Sequence, residues 1–243
     1  GGSRLEKTAE VGQKRYYHLI LLAKNLTGYK NLIRLVTLAN LEGYYYKPRM
    51  DKEILRKYSE GVIALSGCMG GELSQTLLAG NHEKADALVK ECQDIFGKEN
   101  YFIEIQAHPS IENDAKLRRM LVELADKHGI PAVATQDSHY PCHDDHEAHN
   151  TLLQINTQGD GKDAGKFEFS KDDFSLIDEA TALKYFADVP EALSNTLEIL
   201  DKVEYYSIDH APIMPTFAIP EDFGTEEEYR RKYTEKDLFD EFT

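Results

Sequence analysis

The sequence is poor in several features that would each have settled a class. It contains no CxxC pair, and its three cysteines, Cys68, Cys92 and Cys142, are an odd number. This argues against a secreted disulfide scaffold and for a reducing, cytoplasmic setting. No run of 18 apolar residues occurs, and no charged-then-apolar leader opens the chain, so no membrane partner is expected. Basic residues are scarce: 28 Lys and Arg stand against 43 Asp and Glu, a formal net charge of −15. A chain of that balance is not by itself the main grip on a phosphate backbone. A bound cation can still reverse the field locally and admit nucleic acid to one site. The glycines of SGCMGGE lack a Walker lysine, and no GxSxG is present, so neither a nucleotide loop nor a serine triad is indicated.

What is present is enough for a core. Hydrophobic residues make up 41% of 243, with 14 Tyr and 10 Phe. Short apolar runs at 16–23 (YYHLILLA), 62–68 (VIALSGC), 101–108 (YFIEIQAH) and 130–139 (IPAVATQDSH) read as strands. Between them, 25–43, 50–61, 80–97 and 112–129 carry helical periodicity and stop at Gly43, Gly61, Gly97 and Gly129. Alternation of this kind predicts βαβ units and a parallel sheet, with function collected at the carboxyl ends of the strands. Residues 144–155 read as a helix, 157–173 as a polar loop, and 178–203 as a helix pair broken near Pro190. Three prolines between 212 and 220, followed by an acidic helix, mark a linker. The expected domains are therefore 1–212 and 213–243.

Metal-friendly side chains crowd into TQDSHYPCHDDHEAHN, residues 135–150. That stretch fits a polar loop, a small zinc site of its own, or one edge of a larger site. The strand ends favour the last reading, because His18, Cys68, His108, Asp137 and His139 all fall at or near them. In an extended segment, residues two apart face the same way, so Asp137 and His139 are expected to share one metal or one edge of a cluster. A mixed His, Asp and Cys set suits zinc, with manganese or iron at a carboxylate-rich site. Taken singly, each residue has a plainer role: a histidine in an apolar strand is more often part of the core, and a cysteine after SG more often packs. His146 and His149 lie on one helical face with Asp145, and either form a small zinc site or support the ligands of the DSH step. By period two, Glu104 and His108 point to one interior, where His108 serves as ligand, base or support.

Read together, the stretches YYHLILLAKNLTGYKNLIRLVTLANLEGYYYKPRMD, EGVIALSGCMGGE, YFIEIQAH, IPAVATQDSHY, DDHEAHNTLLQINT and FADVPEALSNTLEI, in that order from about 14 to 220, resemble the PHP (polymerase and histidinol phosphatase) domain of C-family replicative polymerases, the bacterial DNA polymerase III α subunits. The loop at 158–175 fits less well. The resemblance implies an α/β fold, a distorted (β/α)7 barrel with metal ions at its strand ends. It implies metal ligation by His18 (HL step), Cys68 (SGC step), Asp137 and His139 (D-x-H step), with Glu104, His108, His146 and His149 at recurring positions that support the ligands. The family's earlier ligands (an H-x-H step, an Asp, a further His and a Glu) have no counterpart here. The expectation is thus a partial barrel lacking its first strands, with a Pro-rich tail leading into the polymerase palm.

For function, the resemblance implies a fragment of a DNA-directed DNA polymerase. It also implies a zinc- or manganese-binding domain of 3′–5′ exonuclease type, inactive alone because its ligand set is incomplete. No residue here is singled out as catalytic. The parent reaction would use magnesium, primer-template DNA and dNTPs. Partners would be the remainder of the polymerase chain and a proofreading exonuclease subunit. Two rival readings are a scaffold that docks that subunit without metal, and a free-standing PHP phosphoesterase for a small phosphate monoester.

Overall fold

Four of the described helices start where a short polar side chain accepts from one of their first amide groups. In this computed structural model, which describes residues 2–7, 16–156, 172–213, 225, 227, 228 and 231, Asn25 accepts from the Gly28 amide and opens α1 (Leu26–Leu41). Asp51 does the same from Ile54 for α2 (Lys52–Lys57), and Asn81 from Lys84 for the helix over His82–Phe96. The helix over Asp114–His128 ends on Gly129 at φ 61, a left-handed conformation that costs glycine nothing. In chain order the elements are β1 (Ile20–Ala23), α1, α2, β2 (Val62–Leu65), α3 (Glu72–Leu78), α4 (His82–Phe96), β3 (Tyr101–Ile105), α5 (Asp114–His128), β4 (Ala132–Ala134), α6 (His146–Asn156), α7 (Glu179–Tyr185) and α8 (Glu191–Lys202). Residues 1–207 form one compact unit and 208–243 another. In the second, residues 208–213 have no regular secondary structure, and 227, 228 and 231 are helical positions. Most of the Pro-rich tail, the acidic helix and the loop over 157–171 lie outside the described residues.

The four strands make one sheet in the order β1-β2-β3-β4. The β2-β3-β4 core is parallel, as the alternation predicts. β1 departs from it, pairing antiparallel with β2 from Ile20 opposite Leu65 to Ala23 opposite Val62. One face of the sheet (Ala64, Tyr101, Ile103, Ile105, Ala132, Ala134) packs on the main core of α1, α3, α4 and α5. The other (Ile63, Leu65, Phe102, Val133) meets Ile199 of α8. The strands are shorter than their apolar runs. β4 stops at Ala134, and Asp137 sits at φ 58, so 130–139 is not one extended segment. Asp137 and His139 are therefore not same-face positions of a strand, although the turn keeps Asp137 Oδ1 4.0 Å from His139 Nδ1. Helix α3 was not anticipated. It is seven residues long with four of them buried (Leu73, Ser74, Thr76, Leu77), so it shows no polar stripe to detect.

Between α4 and α5, Asp86 takes Lys127 and His128, each at 2.6 Å. These hydrogen bonds hold its carboxyl down at about 2. A depressed carboxylate stabilises the fold above its unfolded pKa near 4, and this contribution is lost as pH falls toward 2. Acid unfolding of Asp86→Asn should therefore show a weaker pH dependence between about 4 and 2 than the wild type. Superimposable acid limbs would refute the assignment.

Candidate metal centre

The sequence SGCMGG folds back on the segment before β1. His18 donates its backbone amide to the Gly70 carbonyl at 3.3 Å and forms a bridge with Gly71. This brings His18 Nδ1 to 3.2 Å from Cys68 Sγ. Gly67 (φ +83) has no room for a side chain: a Cβ there would stand 2.7 Å from the His18 carbonyl oxygen. Burial pushes the Cys68 thiol up, against the Gly70 amide, which donates to Sγ at 3.3 Å; the charges of Asp137 and Glu104 push it further the same way. Without a nearby cation the sulfur therefore keeps its proton at neutral pH.

These two side chains line a cavity of about 790 Å³, together with Ser66, Glu104, Gln106, Thr135 and Asp137. Leu21, Leu32, Leu73 and Leu88 contribute apolar walls, and Arg4, Asp51 and Lys52 line it as well. Arg4 is held by Glu42, Asp51 and Glu53, which ties the first described segment to α1 and α2.

Glu104 is the most buried acid of the site, 1% exposed on β3. Its Oε1 accepts from the Thr135 hydroxyl at 2.6 Å and from Gln106 Nε2 at 3.1 Å, while Oε2 has no hydrogen-bond partner among the described residues. Burial raises its pKa, and Asp137 adds to the rise; Thr135 and Gln106 oppose it. The Gly67 amide acts in the same direction as those two.

His139 is placed differently. Its Nδ1 donates to the Asp137 carbonyl at 2.6 Å, which leaves the ring's lone pair on Nε2. Its ring meets Phe174 and His149 edge-on, each at 5.6 Å, and it is not among the residues lining the cavity. Segment 172–176 runs along 136–140: Gln136 donates to the Asp173 carbonyl, the His139 amide to the Phe174 carbonyl and the Phe174 amide to the Tyr140 hydroxyl. His108 is 5% exposed and stacks on Phe174 at 4.5 Å, and neither ring nitrogen has a hydrogen-bond partner among the described residues. Glu104 and His108 thus do not share one interior: β3 ends at Ile105, and His108 is carried to the Phe174 side. His146 Nδ1 donates to the His143 carbonyl, and the Asp145 carboxylate caps the Cys142 amide.

The structure therefore gathers His18, Cys68, Asp137 and Glu104 around one cavity and sets His108 and His139 against Phe174, with His149 against His139. Among the described residues, no three His, Cys, Asp or Glu side chains are already drawn together closely enough to hold one ion. The orphaned, buried Glu104 Oε2 and the soft-hard mixture of the lining nevertheless fit a divalent cation. Sequence reasoning missed Thr135, Gln106 and Phe174. The i, i+2 spacing of Glu104 and Gln106 was legible, whereas Thr135 and Phe174 arrive by cross-strand register and loop packing.

Residues 5–108 match the family model described as PHP domain. The chain is 38% identical over 240 residues to the DNA polymerase III subunit alpha of Treponema pallidum (strain Nichols), covering 99% of this chain and 20% of that protein. The Borreliella burgdorferi protein of the same name is 37% identical over 95% of this chain and 20% of its own length. The Thermus aquaticus one is 40% identical over 90% of this chain and 18% of its own. The chain thus spans about one fifth of the length of the curated relatives it matches. With a PHP domain model on residues 5–108 and this similarity along nearly all its length, the chain belongs to the bacterial DNA polymerase III α subunit family and represents its PHP-domain region.

Proposed function

We propose that this chain is a segment of a replicative DNA polymerase α subunit, and that its strand ends hold part of a divalent-metal centre of phosphodiesterase type. The observation that carries the reading is the His18 Nδ1–Cys68 Sγ approach of 3.2 Å in the lining of a cavity shared with Asp137. His18 and Cys68 would take the soft side of a zinc or manganese ion and Asp137 the hard side, with His139 reaching a neighbouring position through Nε2. A metal bound there supplies Lewis acidity toward phosphate and an activated water. The residues here orient it: the Asp137 carbonyl sets the His139 tautomer, and the Gly67–Gly70 turn presents the sulfur. In this reading the domain is one part of a partial PHP barrel. Primer-template DNA, dNTPs, magnesium and a proofreading subunit engage the parent polymerase, not this segment alone.

Scaffolding is the second reading, favoured by one observation: the described ligands are not already drawn together. Elemental analysis of protein purified without chelator separates the two. Near-stoichiometric zinc or manganese, lost in the Asp137→Ala, His139→Ala double variant, is the expected result. Absence of metal from both proteins would leave the scaffold reading. In either case the isolated chain is expected to show neither primer extension nor processive 3′ trimming, and either activity would overturn the proposal.

A further inference from the structure

Glu104 pairs with Val133 across the β3-β4 ladder, on the sheet face that also carries Phe102. An acid at so buried a position needs compensation, because a carboxylate stripped of water costs several kcal/mol unless paired. Its partners compensate one oxygen only. Thr135 and Gln106 fix Oε1, and no lysine or arginine is among the groups acting on the carboxylate. The other oxygen is orphaned in a cavity wall shared with His18, Cys68 and Asp137.

We propose that Glu104 Oε2 is a ligand of the divalent cation held by His18, Cys68 and Asp137, making this a two-carboxylate site. The inference rests on the metal reading above and extends it to a residue outside the D-x-H and SGC steps. Thr135 and Gln106 are then positioning residues: by holding Oε1 they keep the carboxylate plane fixed and Oε2 turned toward the ion. The Asp137 side chain is 40% exposed and has room to swing toward the same ion, which reconciles the site with the present spread of the ligands. A second hard oxygen also shifts selectivity. With two carboxylates the site favours manganese relative to zinc more than a His–Cys–Asp set would.

The test is manganese binding to the whole 243-residue chain, followed by electron paramagnetic resonance and by the metal-induced rise in melting temperature, for wild type and Glu104→Gln. Glutamine keeps the shape and an acceptor for Thr135 but removes the charge. The expected result is at least about tenfold weaker manganese binding in E104Q, with a metal-free melting temperature equal to or above wild type. The cobalt-substituted wild type should show a thiolate-to-metal charge-transfer band from Cys68, and its visible d–d bands should change in E104Q. Equal manganese affinity in the two proteins would overturn the inference and leave the metal reading intact. A metal-free E104Q that melts well below wild type would make Glu104 a structural strut and overturn it too. A wild type that binds neither manganese nor zinc would remove the metal reading itself, and this inference with it.

Discussion

Gly28→Ala should cost about 3 kcal/mol of stability or more, although it adds a single methyl group to a helix. Alanine is ordinarily the better helix former by about 1 kcal/mol, so the sign is set entirely by what the helix touches. A Cβ on Gly28 would stand 1.8 Å from the Gly61 carbonyl oxygen and 2.5 Å from its carbon, both backbone atoms with no rotamer to yield. Gly61 has no freedom to retreat. Its φ is +70, its own Cβ position is 2.4 Å from Asn25 Oδ1, and its carbonyl accepts the Lys24 amide at 2.8 Å. The methyl group must therefore separate the start of α1 from the turn into β2, breaking the Asn25 cap and the Lys24 bond together. For a domain of this size the loss corresponds to a fall in melting temperature of roughly 6–12 °C. Thermal and urea unfolding of the variant would read it, and a melting point within about 1 °C of wild type would show that the two glycines are not in contact.

The second large effect is Phe102→Ala, expected to cost about 4 kcal/mol. Phe102 is 1% exposed and is the largest member of the smaller core, with Ile63, Leu65 and Val133 on the same sheet face and Ile199 from α8. Its removal leaves a hole that strand residues cannot close, since each is held in register by its ladder bonds. Phe102 also lies next to the site: its carbonyl accepts the Ser66 amide, and the Ser66 hydroxyl lies 2.9 Å from the Glu104 amide, which donates to it. Phe102→Leu should cost under about 1.5 kcal/mol, because most of the volume is kept. Urea midpoints for the pair would test this, and equal losses in both variants would contradict the cavity argument.

Much of the scaffold was legible because its signals are local. Asn25, Asp51 and Asn81 open helices where their side chains reach the third amide beyond them, and Gly129 ends α5 where a left-handed residue is needed. The parallel order of β2, β3 and β4 followed from helices intervening between apolar runs. The antiparallel pairing of β1 did not, since strand direction relative to a neighbour depends on where the long α1–α2 connection deposits the chain.

The site divides in the same way. From the sequence alone came the chemistry: a His and a Cys at two strand ends, a D-x-H step at another, too few basic groups to hold nucleic acid unaided, and the family to which the chain belongs. Their grouping came only with the tertiary structure. A left-handed Asp137 turns the chain so that His139 packs on Phe174 and His149 while staying 4.0 Å from Asp137 Oδ1, an approach made by a turn and not by strand alternation. Glu104 joins the cavity because β3-β4 register sets Thr135 beside Gln106, a relation between residues about thirty apart that no local pattern encodes. Side-chain type is written one residue at a time, whereas the convergence of side chains is a property of loop closure and strand register, which only the packed chain decides.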